Sequence, residues 1–288
     1  MISVFAPAKV NLSLHVVGKR ADGYHLLDSL VAFAGVGDTL DFTPAATLTL
    51  EVGGPTAGLI PSQGENIVLK AARLLAEAAG VTRGAAIRLT KRLPVAAGIG
   101  GGSADAAAAL KGLMRLWDVT LPAERLAALA LSIGADVPVC LAGRPMRMQG
   151  IGEVLEPAPA LPAAWLVLVN PMVPLHTPPV FKARQGPFSA AEPLTQSPAD
   201  ARALAAALAA RRNDLTQPAI SIEPVVGEVL AALAAGEGCL LARMSGSGAT
   251  CFGLYATEAE ARAAATRLQA AWPGWWVAPA VLLGEGRD

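Results

Sequence analysis

The stretch Lys91-Arg92-Leu93-Pro94-Val95-Ala96-Ala97-Gly98-Ile99-Gly100-Gly101-Gly102-Ser103-Ala104 decides how the chain is read. Just before it, residues 86–93 alternate, with Ile87 and Leu89 set against Arg88, Thr90 and Arg92, which predicts a strand. After it, residues 104–116 are rich in alanine and leucine and predict a helix. A glycine turn thus delivers the chain from a strand into a helix start. Glycines let backbone N–H groups approach a ligand with no Cβ in the way. The helix start adds unpaired N–H donors and a partial positive charge of roughly half a unit. Together they form a cradle for a polyphosphate. A flexible turn without a ligand is the alternative, but four glycines within five residues would then cost folding entropy with no return.

Two familiar nucleotide loops do not fit. A Walker A loop ends in Gly-Lys-Ser/Thr, whereas Gly102 is followed by Ser103 and Ala104. A dinucleotide loop needs glycine where Ser103 stands, and an acidic residue about 20 positions on at a strand end; Asp118 has that spacing but follows a helix.

Upstream, residues 2–17 read as a strand. Lys9, Asn11, Ser13 and His15 alternate with Val10, Leu12, Leu14 and Val16, so Lys9 and Asn11 share a face about 6–7 Å apart. A half-buried strand with one solvated face is the plain alternative. Residues 18–23 are turn-rich, and 26–33, 39–43 and 47–52 read as strands. Asn66 opens a helix that Gly80 closes. Pro122 suits the first turn of another helix, which Gly134 ends, and Asp136 follows that stop.

Residues 157–163 carry three prolines and read as a linker between two domains, 1–156 and 164–288. The second half reads as strand 165–170, helices near 200–211 and at 224–235, strands 239–244 and 250–256, helix 258–271 and strand 275–283. Thr257 and Glu260 form a capping box for the last helix. With the two middle helices taken as one crossover, the order is βαββαβ, the ferredoxin-like pattern. Residues 184–200 read as a surface loop. A second glycine cluster, Met244-Ser-Gly-Ser-Gly-Ala-Thr-Cys-Phe-Gly253, lies between two strands; it is either a tight hairpin or a loop that approaches phosphates.

The bulk numbers agree. The chain has 288 residues, enough for two cores. Its 53% hydrophobic and 16% charged residues argue against disorder, and a formal net charge of zero argues against nucleic acid as a partner. Cys140, Cys239 and Cys251 are not in CxxC pairs and read as buried thiols. Residues 1–14 do not read as a signal peptide, and no apolar run reaches about 18 residues, so a cytoplasmic protein away from membranes is expected. The tryptophans at 165, 272, 275 and 276 read as core or interface residues.

At this point the chain resembles the GHMP kinase superfamily. Its first motif is matched by Pro7-Ala8-Lys9-Val10-Asn11-Leu12, its second by 94–104 and its third by Ser245-Gly-Ser-Gly-Ala-Thr250, in family order. The resemblance implies an α+β, two-domain GHMP kinase fold. The N-terminal, ATP-binding domain is ribosomal-protein-S5-domain-2-like and the C-terminal one ferredoxin-like.

Finer strings resemble the branch whose acceptor is a cytidine diphosphate-linked methylerythritol. They include Arg20-Ala-Asp-Gly-Tyr24-His25, Glu65-Asn66-Ile67, Gly134-Ala-Asp136-Val-Pro138 and His176-Thr177 ahead of Val180-Phe181. Another small alcohol, such as mevalonate or homoserine, is the alternative. Ala104 departs from the family's usual second serine. Arg144 and Arg147 lie in an atypical run and are either surface residues or phosphate contacts.

By resemblance, Asp136 is the catalytic base and Lys9 its cationic partner. Asn11, Tyr24, His25 and Thr177 meet the substrate, with Tyr24 stacking on cytosine and His25 hydrogen-bonding to it. Asn66, Lys91, Pro94, Gly98, Ile99, Gly100, Gly101, Gly102, Ser103 and Ala104 form the ATP-binding set. Mg2+ enters with ATP, no dedicated metal cluster is expected, and the protein is a monomer or homodimer.

Overall fold

The structure, a computed structural model, describes residues 1–60 and 66–284; Glu65 lies outside them. It divides into two compact units that interleave along the chain. The first comprises residues 1–8, 37–95 and 100–142, the second 9–36, 96–99 and 143–288. These contacts group differently from the 1–156 and 164–288 division expected from sequence. The reason lies in two long strands, β1 (Ile2–Lys19) and β2 (His25–Ala45), each of which starts in one unit and ends in the other.

In the first unit, β3 (Leu48–Gly53) runs parallel to β4 (Gly84–Thr90), which pairs antiparallel with the end of β2. The helices are α1 (Ile67–Ala79), α2 (Gly101–Trp117), α3 (Ala123–Ile133) and a short α4 (Val137–Ala142). Helix α2 is buried along most of its length through Ala104, Ala106–Ala109, Leu110 and Leu113. Its alanines and Gly112 set the approach to the sheet: a Cβ at Gly112 would fall 2.2 Å from the Phe42 ring.

In the second unit, β7 (Trp165–Asn170), β8 (Leu241–Met244), β9 (Cys251–Tyr255) and β10 (Trp276–Leu283) form an antiparallel sheet in the order β10-β7-β9-β8. Numbered within the domain this is 4-1-3-2, as the ferredoxin-like reading requires. Central β7 buries Leu166, Val167, Leu168 and Val169 completely, each contributing about 1.5–3 kcal/mol.

The crossover from β7 to β8 contains α5 (Thr177–Ala183), α6 (Ala201–Ala209), α7 (Thr216–Ile222) and α8 (Val225–Ala234), two more helices than the sequence pattern showed. The last crossover, α9 (Glu258–Ala271), begins with the expected Thr257–Glu260 capping box. The start of β2 also pairs with β5 (Met146–Gly150), which pairs in turn with β6 (Val154–Pro157). Residues 184–200 form no helix or strand. Cys140 and Cys251 are buried as expected, but Cys239 is partly exposed. Trp272 and Trp275 stack at 4.6 Å.

Candidate active site

In the first unit, helix α2 starts at Gly100, which is left-handed (φ 61°, ψ 23°) and provides no side-chain cap. The first intrahelical bond runs from Ala104 N to Gly100 O, 2.8 Å. The N–H groups of Gly101, Gly102 and Ser103 therefore have no partner within the helix. A Cβ at Gly102 would meet only the Ile67 side chain, at 3.7 Å, so the helix start is open on that side. An anion of phosphate size suits such an end. Pro94 is buried, and Ala104, where the family usually carries a second hydroxyl, puts a buried methyl into the core instead.

Lys91 does not reach out from this loop. It is 3% exposed, and its Nζ donates to Asp38 Oδ2 at 2.5 Å and Asp105 Oδ2 at 2.7 Å. Lys91 is therefore not part of a solvated strand face. Asp38 Oδ1 also accepts the N–H groups of Arg92 (2.5 Å) and Leu93 (3.0 Å), which pins the strand end that feeds the phosphate loop. Asp105 is poorer in partners: its Oδ1 is buried with none.

Burial pulls the Lys91 ammonium down, but the two carboxylates outweigh it and raise it above the usual lysine value. Burial pushes the Asp105 carboxyl up to about 7, against the pull of Lys91 and with help from Asp38. Between the ordinary carboxylate value and about 7, the folded chain holds a proton on Asp105 that the unfolded chain releases. This contribution to stability is present at low pH and is lost as pH rises through that window. Asp105→Asn should flatten the slope: calorimetry at pH 5 and pH 8 should show a smaller difference in Tm than for the unmodified chain.

Asn66 caps α1, its Oδ1 accepting from Val68 N at 2.9 Å. From the next turn, Lys70 Nζ donates to Ser132 O and Ile133 O at the end of α3. The Gly134–Asp136 turn follows directly. Asp136 is partly exposed and stands immediately before α4, its carbonyl accepting from Cys140 N.

The second unit gathers the other candidates around β1. Lys9, Asn11, Ser13 and His15 are all at most 4% exposed, so the polar row is not a solvated face. Lys9 N donates to Ile99 O (3.0 Å) and Asn11 N to Ser245 Oγ (3.0 Å). Ser245 Oγ donates in turn to Gly98 O, 3.0 Å, and Thr250 N to Ala97 O, 3.1 Å. The 244–250 cluster is thus interlocked with β1 and with residues 97–99 rather than being a free hairpin. Asn11 Nδ2 donates to Ser29 Oγ, and its Oδ1 is buried without a partner.

Gly98 makes the interlock possible. Its φ is +73°, and a Cβ would lie 2.6 Å from the carbonyl oxygens of both Ser245 and Gly248. Gly98→Ala should cost about 1–3 kcal/mol in urea unfolding through overpacking alone. Unchanged stability would contradict the close approach.

The turn before β2 is held by Gly23 N to Arg20 O, Arg20 N to Tyr24 O and Tyr24 N to Asp22 Oδ1. It leaves Tyr24 61% exposed. His25 stacks on Phe181 with ring centroids 5.1 Å apart and 24° between planes. Burial, with Lys19 and Arg184 adding, lowers its pKa, so the imidazole is neutral at pH 7. Thr177 Oγ1 lies 2.8 Å from Ser247 Oγ.

Phe181 was given no role from sequence. The signal was its place four residues after Thr177, on the same face of α5. Arg147 is now explained: its Nε meets Asp28 at 2.6 Å and its Nη1 meets Glu156 at 3.2 Å, beside a cavity of about 220 Å³. Arg144 is exposed.

Residues 66–144 match the family described as GHMP kinases N terminal domain, and residues 191–274 match GHMP kinases C terminal. The chain is 81% identical over 281 residues to 4-diphosphocytidyl-2-C-methyl-D-erythritol kinase of Paramagnetospirillum magneticum, covering 98% of each chain. It is 59% identical over 280 residues to the kinase of the same name in Rhodospirillum rubrum, covering 97% of this chain and 92% of the relative. A crystal structure of 4-(cytidine 5'-diphospho)-2C-methyl-D-erythritol kinase is similar at a TM-score of 0.80 and 37% identity, over 99% of this chain and 100% of the other. Homoserine kinase from Cytophaga hutchinsonii, at 18% identity and a TM-score of 0.75 over 99% and 96% of the chains, shares the fold.

Proposed function

The chain belongs to the GHMP kinase family, and from that membership we propose that it transfers the γ-phosphoryl group of ATP to the 2-hydroxyl of 4-diphosphocytidyl-2-C-methyl-D-erythritol. The reaction is a step of non-mevalonate isoprenoid precursor biosynthesis. The observation that carries this choice of alcohol is the 81% identity over 98% of both chains with a kinase of that name. The stacked His25–Phe181 pair beside an exposed Tyr24 supports it, because mevalonate and homoserine offer no base to such a wall.

Phosphoryl transfer needs positioning and charge neutralisation more than covalent help. The amides of Gly101, Gly102 and Ser103 receive phosphate oxygens at the start of α2. The acceptor oxygen forms a bond to the γ-phosphorus, the bond to the β-phosphate oxygen breaks, and ADP leaves. Asp136 takes the hydroxyl proton. Lys9 steadies the charge that develops during the transfer. Asn11 orients the acceptor through its buried Oδ1. Neutral His25 hydrogen-bonds to the cytosine while Tyr24 stacks on it, and Thr177 meets the substrate from α5.

Mg2+ entering with ATP would supply charge neutralisation, and the Ser103 hydroxyl is the protein group that would hold it. Among the described residues no cluster of three or more His, Cys, Asp or Glu side chains is arranged for a metal. No helix among them is long and apolar enough to cross a membrane, and a cytoplasmic setting is part of the proposal.

Coupled ADP release tests the choice of acceptor. The cytidine diphosphate compound should be turned over, and homoserine and mevalonate should not. Turnover of either amino or hydroxy acid in preference would reverse it.

A further inference from the structure

The second glycine cluster, at Ser245-Gly-Ser-Gly248, touches three parts of the second unit. Ser245 Oγ accepts from Asn11 N and donates to Gly98 O, and Ser247 Oγ lies beside Thr177 Oγ1. A loop of small residues has no side-chain bulk to hold that shape, so something outside it must.

The structure assigns this task to Asn213, as a positioning residue for phosphoryl transfer that acts through the 245–248 loop; the assignment rests on the kinase reading above. Asn213 is 7% exposed. Its Nδ2 donates to Met244 O and Gly246 O, both at 2.8 Å, and its Oδ1 accepts from Leu215 N at 2.9 Å. Both amide hydrogens are therefore spent on the loop's own backbone.

Asn213 is itself fixed to β1. Leu14 N donates to Arg212 O and Asp214 N to Leu14 O, each 2.9 Å, a parallel bridge centred on Leu14 and Asn213. Val16 N donates to Asp214 Oδ2 at 2.7 Å. Buried Arg243 closes the clamp, donating from Nη1 to Leu12 O and from Nη2 to Leu208 O and Arg211 O. The strand that carries Lys9 and Asn11 thus fixes Asn213, and Asn213 fixes the loop against that strand.

The chemistry is specific to a carboxamide. A carboxylate at 213 would still accept from Leu215 N, but its other oxygen would face two carbonyl oxygens at hydrogen-bond distance with nothing to donate. The loop would move away from Asn11 and Gly98. A misplacement of about 1 Å in such a site can cost about 100-fold in rate.

The test uses the full chain with Asn213→Asp and Asn213→Gln. A positioning role expects kcat to fall by about 10- to 100-fold, with KM for the acceptor within about threefold and the fold retained at a lowered Tm. Amide exchange should accelerate at Asn11, Gly248 and Thr250, whose N–H groups bond within this network, and not in the first unit. Wild-type kcat in Asn213→Asp would overturn the assignment. If that variant does not fold, Asn213→Gln decides. Its amide is one methylene too far out, so reduced kcat is expected and an unchanged kcat overturns it. Unaltered exchange at those three amides also overturns it, whichever alcohol is turned over. Faster exchange there in a chain that phosphorylates none of the alcohols would uphold the role of Asn213 in holding the loop and sink the kinase reading alone.

Discussion

Replacing Asp136 with Asn is expected to lower kcat by about 10²- to 10⁴-fold, the range supplied by a positioned acid or base, while ATP affinity stays within a few-fold. The asparagine keeps the size and hydrogen-bonding reach of the side chain but cannot take up the hydroxyl proton. The ATP phosphates are addressed by the backbone at the start of α2, which the change leaves alone. Asp136 sits in the short turn between α3 and α4, where a neutral isostere adds no volume. Calorimetric titration with ATP and a steady-state assay with the cytidine diphosphate acceptor separate binding from turnover. Full activity in the variant would remove Asp136 from the chemistry.

The largest stability effect is expected from Lys91→Met. The Lys91 ammonium is bonded to both Asp38 and Asp105, and all three side chains are at most 4% exposed. Removing it leaves two carboxyls facing each other in the core of the first unit. Breaking a buried ion pair in this way costs about 3–5 kcal/mol. Asp38 retains the N–H groups of Arg92 and Leu93, so Asp105 is the group that must take up a proton in compensation. The loss in urea unfolding should therefore be greater at pH 8 than at pH 5. A change under about 1 kcal/mol at both pH values would mean that the cluster is not the strut under the phosphate loop. Turnover should fall along with stability, because residues 91–93 lead into that loop.

Local signals in the sequence carried the site's outline. The strand–glycine–helix passage at 86–116, the period-two row from Lys9 to His15 and the Thr257–Glu260 capping box are each settled by neighbours a few residues away, and each appears in the structure. The ferredoxin-like order emerged because its strands are short, apolar and well separated.

What was hidden depends on residues far apart in sequence. Lys91 reads as a phosphate contact from its motif, but its partners lie 53 and 14 residues away, and the fold spends its charge on them. Residues 26–33 and 39–43 read as two separate strands, yet β2 runs unbroken from His25 to Ala45 through Gly35 and Gly37. The glycines mark close approaches: a Cβ at Gly35 would fall 2.7 Å from Val281, and one at Gly37 2.2 Å from Ala6 O.

Prolines concealed α5 and α7. Pro178 and Pro179 lie in the first turn of α5, where a missing N–H costs nothing, so a segment that reads as loop is helical. The row on β1 leaves a solvated face open as an alternative, because alternation alone does not reveal that both faces are covered. Asn213 gave no signal, since its meaning lies in two carbonyls 31 and 33 residues away.

The most direct test of the central claim is product analysis by phosphorus NMR and mass spectrometry. The purified chain is incubated with ATP, Mg2+ and 4-diphosphocytidyl-2-C-methyl-D-erythritol. The expected result is stoichiometric ADP and one new phosphomonoester on the 2-oxygen of the methylerythritol moiety. An unchanged acceptor, or a phosphate at any other position, would contradict the account.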